Sequence, residues 1–214
     1  MEKIALVGAG GHAKTIVDTI EYLGKYEIAG FITPSDIGKE LYRGYRVIGH
    51  DDEMNKIYAS GVQNAVIAIG FMGKTGLRNE IYEKLKIAGF YLPVIIDPSA
   101  IVAKDAKVDE GAYIGRRVVI NADAHIGKAC IINTGAIVEH ECMVGDFSHV
   151  AVAATLCGQA RIGENTFIGA NATVLQCCKI ANNCIVGAGS VVTKDIIVSS
   201  ISMGVPARIT KVRE

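Results

Sequence analysis

The stretch AYIGRRVVINADAHIGKACIIN, residues 112–133, has an isoleucine at every sixth position: Ile114, Ile120, Ile126 and Ile132. A small residue stands two places before three of them, at Ala112, Ala124 and Cys130. The frame extends back through Val108 and Val102 to Ile96. It runs forward through Val138, Val144, Val150, Leu156, Ile162, Ile168, Val174, Ile180, Val186 and Val192 to Val198. With Ile, Val and Leu at roughly a quarter of a chain, coincidence does not produce eighteen consecutive hits. A period of six is that of a parallel β-helix of hexapeptide repeats.

The small frame also continues, through Ala136, Cys142, Ser148, Ala154, Ala160, Thr166, Ala172, Cys178, Cys184 and Ser190. A triangular coil needs one inward apolar knob per side and little bulk beside it at the corner. Gly or Asn after the knob, as at Gly115, Asn121, Gly127, Asn133, Gly145, Gly163, Gly169 and Gly187, supplies turn chemistry. Three hexapeptides to a coil give about six coils, roughly 29 Å at ~4.8 Å each. The frame is unbroken to Val198, which predicts a prism without an inserted loop.

Charge and composition narrow the function. Half of the 214 residues are hydrophobic, and 22 basic residues balance 22 acidic ones, interspersed. No block of charge favours a nucleic acid or a membrane surface. No apolar run approaches the ~18 residues of a membrane span, and MEKIALVGAGG reads as a strand and a turn, not a signal peptide. A soluble, cytoplasmic protein is expected. Of six cysteines, Cys130, Cys142, Cys178 and Cys184 fall in the small-corner frame, where a thiol replaces Ala or Ser. No C-x-x-C pair occurs, so structural cysteine is favoured over zinc ligation.

Residues 1–95 follow another pattern. Lys3 to Val7 reads as a buried strand, and Gly8-Ala9-Gly10-Gly11-His12-Ala13 as a glycine turn. Ile16, Val17, Ile20 and Leu23 have helical spacing. Strands are expected at Ile28–Ile32, near Tyr45–Ile48 and at Ala65–Ile69, with a second helix from about Gly76 to Ala88. This is an α/β, Rossmann-like domain at 1–95, followed by an all-β prism at 96–214 whose tail from Ser199 caps the last coil.

A glycine turn opening a helix favours phosphate or pyrophosphate. A nicotinamide dinucleotide also needs an acid ending the second strand, and only Asp36 is near. Another phosphorylated or nucleotide ligand, NAD and a purely structural turn all remain open. Gly70 marks a second close backbone approach at the same sheet end.

In the prism, His140 stands between Glu139 and Glu141. Its neighbours one coil below and above, Ala122 and Gly158, are small, so the histidine borders an open groove. A flanking glutamate can fix its tautomer and leave the other nitrogen to take a proton. A solvated histidine in a charged corner is the alternative. His149 lies half a coil perimeter from His140, so one site uses both only if neighbouring subunits pack side by side. His125 is a weaker candidate. A three-histidine zinc site would need convergence across such an interface.

Across almost the whole chain, Gly-Ala-Gly-Gly-His at 8–12, Ile-Asn-Thr at 132–134, Glu-His-Glu-Cys at 139–142, Phe-Ser-His-Val at 147–150 and Gly-Val-Pro-Ala at 204–207 resemble the bacterial sugar O- and N-acetyltransferases. The nearest resemblance is to the nucleotide-linked 4-amino-sugar N-acetyltransferases of the bacillosamine and perosamine type, with sialic acid O-acetyltransferases as near relatives. The resemblance implies a left-handed β-helix and a homotrimer with acetyl-CoA in the groove between prisms. It implies His140 as general base, Glu141 as its orienting carboxylate, and His149 near the thioester. Asn133 would line that site, and Ala170 and Ala188 would give backbone contacts to the pantetheine arm. Gly10, Gly11 and His12, with Asp36 and Gly70, would contact the nucleotide-linked sugar. At Asp36 the chain reads Thr-Pro-Ser-Asp, where relatives often carry paired acids. No metal is implied.

These residues suit direct transfer: His140 takes a proton from the sugar ammonium, and a backbone N–H or His149 stabilises the oxyanion. Two other classes compete. A nicotinamide enzyme would leave the prism without a role, and a non-catalytic trimerising prism would leave His140 unexplained.

Overall fold

The computed structural model describes residues 1–71, 73 and 76–213. The chain divides into two units, Met1–Gly70 with Gly76–Pro98, and the chain from Ser99 onward together with Phe71 and Gly73.

The first unit runs β1 (Glu2–Val7), α1 (Gly11–Leu23), β2 (Tyr26–Ile32), β3 (Glu40–Tyr42), β4 (Tyr45–Gly49), α2 (Met54–Ala59), β5 (Asn64–Ile67) and α3 (Leu77–Ile87). Its sheet has the order β3-β4-β2-β1-β5. All pairings are parallel except β3 with β4. The interior strand β1 and the terminal strand β5 are buried over Ile4–Val7 and Asn64–Ile67, as parallel strands covered on both faces must be. Helix α1 buries Ala13, Ile16, Val17 and Ile20, one stripe at helical spacing, and ends on Gly24 at φ 61. Each such aliphatic side chain contributes about 1.5–3 kcal/mol on burial. Helix α3 buries Ile81, Tyr82 and Leu85. The glycine turn therefore sits where β1 meets α1, at the carboxyl end of the parallel strands, where sheets of this kind bind ligands.

The second unit is a left-handed parallel β-helix of two-residue strands. Up to the last coil each strand pairs in parallel with the one 18 residues on, as Ile131 pairs with His149 and Ile132 with Val150. A first face stacks Tyr113–Ile114, Ile131–Ile132, His149–Val150, Phe167–Ile168 and Ile185–Val186. A second stacks Ile101–Val102, Val119–Ile120, Ile137–Val138, Thr155–Leu156, Thr173–Val174 and Val191–Val192. A third stacks Lys107–Val108, His125–Ile126, Met143–Val144, Arg161–Ile162 and Lys179–Ile180. From Ile114 to Val192 every sixth-position knob is buried, as are the small residues two before them. Among the described residues no helix is long and apolar enough to cross a membrane.

Two expectations are corrected. The glycines after the knobs do not serve the turns through positive φ. That conformation falls further along each repeat, mostly on non-glycine residues such as Asp123, Glu141, Gln159 and Cys177. The post-knob glycines instead clear the next coil: a Cβ on Gly145 would lie 2.7 Å from the Glu164 nitrogen, and one on Gly169 2.5 Å from that of Ala188.

The six-residue frame also ends before Val198. Ile196 bridges Ile180, and Ile201 pairs with Ile185, so the last coil is two residues short. Ile196 is 7% exposed and Val198 41%. At the slip Asp195 Oδ1 accepts the Lys179 N–H at 2.9 Å. In the coils below, a backbone carbonyl accepts that bond, as Cys178 does from Arg161. The tail then adds Ser200–Met203 to the first face and returns antiparallel as Arg208–Val212.

Candidate active site

His140 occupies the corner between the second and third faces, in the turn joining Ile137–Val138 to Met143–Val144. Its Nδ1 lies 3.1 Å from Glu141 Oε2. A carboxylate only accepts, so Nδ1 carries the hydrogen, and in the neutral ring the lone pair is on Nε2. Gly158, one coil above, would place a Cβ 2.6 Å from both Cε1 and Nε2 of the ring. The imidazole therefore lies over a position where only glycine leaves room. Gln159 donates from Nε2 to Glu141 Oε2 at 3.1 Å. The hydrogen bond from Gln159, and after it that from His140, hold the Glu141 carboxyl below its usual range. Glu139, His140, Gly158, Gln159, Gln176 and Cys177 line an open groove of about 450 Å³.

Cys142 is the nearest buried nucleophile in sequence, and it is unsuited to carry an acyl group. Burial pushes its thiol up to about 11, and its Sγ donates to the Cys157 carbonyl at 3.1 Å.

His149 lies on the first face and is only 8% exposed. The Asn133 Oδ1 accepts the Thr134 N–H at 2.8 Å, so its NH2 group points the other way, toward His149 Nε2 at 3.1 Å. Nε2 therefore accepts, and Nδ1 donates to the Phe71 carbonyl at 2.6 Å. Phe167 packs edge-on to the imidazole at 5.2 Å. Asn133, Ala170 and Ala188 follow first-face strands, at the corner with the second face. There the ladder uses the N–H groups of Gly169, Asn171, Gly187 and Gly189, and those of Ala170 and Ala188 fall outside it. One chain thus brings His140 and Glu141 to one edge of the second face and Asn133, Ala170 and Ala188 to its other edge. His125, on the third face, pairs with Asp109 at 2.9 Å.

In the first unit Gly8 has φ 101, and a Cβ there would strike Ile69. Gly10 caps α1, and Gly10 and Gly11 face open space. The first turn of α1 carries no acid, leaving its positive end uncompensated for an anion. Gly70 lies against His12, its Cβ position 3.8 Å from that of the histidine. Gly10, Gly11, His12 and Gly70 thus gather at one place. Asp36 is exposed in the β2–β3 connection, where its carbonyl accepts the Lys39 N–H at 3.1 Å.

Sequence reasoning missed Gln159, although it stands 18 residues beyond Glu141, in the column directly above it. It also missed Phe71, whose contact with His149 spans 78 positions and follows no period.

A profile of the PglD N-terminal domain matches residues 3–85, and one of the bacterial transferase hexapeptide (six repeats) matches residues 159–194. No curated protein matches the chain. Among solved structures, a histidine-to-alanine variant of GDP-perosamine N-acetyltransferase from Caulobacter crescentus, in complex with CoA and GDP-perosamine, is 34% identical over 98% of this chain and 97% of its own, with a TM-score of 0.92. The acetyltransferase domain of PglB from Neisseria gonorrhoeae, in complex with acetyl coenzyme A, is 32% identical over 97% of this chain and 98% of its own, with a TM-score of 0.89. WeeI from Acinetobacter baumannii shares the fold, at 20% identity over 98% of this chain and 100% of its own and a TM-score of 0.73.

The chain belongs to the bacterial sugar acetyltransferases of hexapeptide-repeat type. Within them it groups with the N-acetyltransferases of nucleotide-linked amino sugars.

Proposed function

We propose that the protein transfers the acetyl group of acetyl-CoA to the 4-amino group of a nucleotide-linked amino-deoxysugar, as a cytoplasmic homotrimer in surface-glycan or glycoprotein sugar biosynthesis. The observation that carries this reading is the His140–Glu141 pair laid over Gly158 in an open groove. The Caulobacter relative, crystallised with CoA and GDP-perosamine, supports the substrate class.

A sugar ammonium has no lone pair to attack a thioester. His140 Nε2 takes its proton, and the imidazolium that forms is stabilised by the ionised Glu141 on Nδ1. The freed amine attacks the thioester carbonyl, the C–N bond forms, and a tetrahedral oxyanion results. Because the His149 Nδ1–H is committed to Phe71, the oxyanion takes a backbone N–H. Collapse breaks the C–S bond, the proton held by His140 passes to the departing CoA thiolate, and the regenerated Nε2 takes the second proton from the amide nitrogen and releases it to water. His149 acts through Asn133, whose amide it orients at the cofactor corner, and Ala170 and Ala188 offer their N–H groups to the pantetheine amides. Gly10, Gly11 and His12, with Gly70 and Asp36, hold the nucleotide-linked end of the acceptor.

The outward residues of the three faces support assembly. The third face carries Lys107, His125, Arg161 and Lys179, and the first packs under Phe71 and Gly73. The second presents Ile101, exposed, and Val119, Ile137, Thr155, Thr173 and Val191, half-buried, uncharged throughout. Around a threefold axis this face of each copy brings its Ala170 corner to the His140 corner of the next, completing one site per interface.

Thiol release from acetyl-CoA against UDP-, dTDP- and GDP-linked 4-amino-6-deoxysugars and sialic acid tests the proposal. Release with an amino sugar is expected, lost in His140→Ala while acetyl-CoA binding persists. Release with sialic acid alone would reassign the protein to O-acetylation, and near-normal turnover in His140→Ala would overturn the role of the base.

A further inference from the structure

We infer that Gln159 is a positioning residue for the base pair, holding the Glu141 carboxylate in the orientation in which its Oε2 accepts the His140 Nδ1–H. The inference rests on the proposed role of His140. Glu141 and Gln159 occupy the same turn position on successive coils, both with left-handed backbone, at φ 58 and φ 62. Their side chains therefore leave the prism side by side, about 4.8 Å apart at the backbone. Gln159 Nε2 meets Glu141 Oε2 at 3.1 Å, and Gln159 Oε1 accepts the Cys177 thiol at 3.3 Å. The amide has one chemically consistent orientation, because the carboxylate only accepts and the thiol donates.

One oxygen, Oε2, serves both Gln159 and His140. The Glu141 side chain is about half exposed, so without Gln159 it has room to rotate away into water. The other charged or titratable groups around it are Glu139, Asp123 one coil below and Cys177 above. None of these supplies a second cationic anchor. Loss of Gln159 removes the aim of the carboxylate and the larger of the two hydrogen bonds that hold its pKa below the usual range.

The test is steady-state kinetics of the full-length protein across about pH 6–9, with acetyl-CoA and GDP-perosamine or the best acceptor of the panel. Gln159→Leu is expected to lower kcat about tenfold, a fraction of what a general base contributes, with KM for acetyl-CoA unchanged. Its acid limb should move to lower pH, because the imidazolium has lost a fixed anionic partner. Gln159→Glu gives a signature that structural damage cannot. Across this range the new carboxyl is ionised and repels Glu141, so kcat falls, while the added negative charge beside the imidazolium moves the acid limb to higher pH, opposite to Gln159→Leu. Wild-type kcat and pH profile in Gln159→Leu, or a loss in Gln159→Glu that is uniform in pH, would overturn the inference. His140→Ala separates the two readings. If it is inactive while Gln159→Leu is normal, only the role of Gln159 falls; if it turns over normally, the base assignment itself falls.

Discussion

Replacing Gly158 with alanine should disable catalysis while leaving the coil intact. The added Cβ would stand 2.6 Å from His140 Cε1 and Nε2, against 3.4–4 Å for ordinary contact, so the ring must retreat by about 1 Å. A displacement of that size at a reacting group costs about 10²-fold in rate. The backbone imposes no penalty of its own, since Gly158 is not among the residues with positive φ. The ring can also move cheaply, because the His140 side chain is 56% exposed. Stability should therefore change by less than about 1 kcal/mol, the lower chain entropy of alanine in the unfolded state offsetting the shifted ring. The assay pairs CoA release under saturating acetyl-CoA with a thermal melt and a sedimentation run on the same sample. Wild-type kcat/KM in a folded, assembled Gly158→Ala would refute the claim that the ring works from the position it holds over this glycine. A fall in Tm large enough to account for the lost activity would equally refute it, placing the strain in the coil and not in the ring.

Asn133→Ala removes the Asn133 hydrogen bond to the Nε2 of buried His149 and should destabilise by about 1–3 kcal/mol, roughly 2–12 °C in Tm for a chain of this length; an unchanged melt would show that the Asn133 contact contributes nothing. Among the six thiols, Cys177 is exposed while Cys130, Cys142, Cys178 and Cys184 are buried. Brief iodoacetamide treatment of native protein followed by peptide mass mapping should label Cys177 first, and early labelling of Cys142 would contradict both its burial and its raised pKa. Thr155→Asp puts a charge in the middle of the uncharged second face, and analytical ultracentrifugation should find smaller species than wild type at equal concentration. Persistence of the wild-type assembly would move the interface to another face.

The prism was legible because it is nearly one-dimensional. Once the period is known, spatial neighbours follow by counting 18 residues, and that arithmetic placed Gly158 beside His140 and opposed His140 to His149. It pointed equally to Gln159 above Glu141, but a small neighbour implies space whatever its conformation. A glutamine implies a bond only if the turn aims it correctly, and that direction comes from left-handed φ values on non-glycine residues that the pattern does not reveal. The slip at Ile196 was hidden for a different reason. Ile196 and Val198 are both aliphatic, so hydrophobicity cannot choose between them, and the Asp195 carboxylate that takes the Lys179 N–H in the shifted register leaves no periodic mark. In the α/β unit no fixed separation links contacts. Its main strands and two longer helices were readable from local pattern, while the short β3 and α2 were not.

In the proposed assembly the two candidate corners flank the second face for a reason rooted in the repeat. Corner turns repeat in columns, so any residue placed on a corner has the full height of the prism along which an elongated ligand can run, and the ladder leaves the Ala170 and Ala188 N–H groups in one such column. A base in that same column would face along its own prism and meet the ligand edge-on. A base on the far corner of an uncharged face meets the ligand from the side once a second copy is applied to that face, and each further copy repeats the match until the ring closes. Under the proposed function, catalysis is then tied to assembly. Mixing His140→Ala subunits with Asn133→Ala subunits should restore activity at those interfaces where both intact corners meet. A mixture no more active than its parents, after proven subunit exchange, would place both halves of the site within one chain.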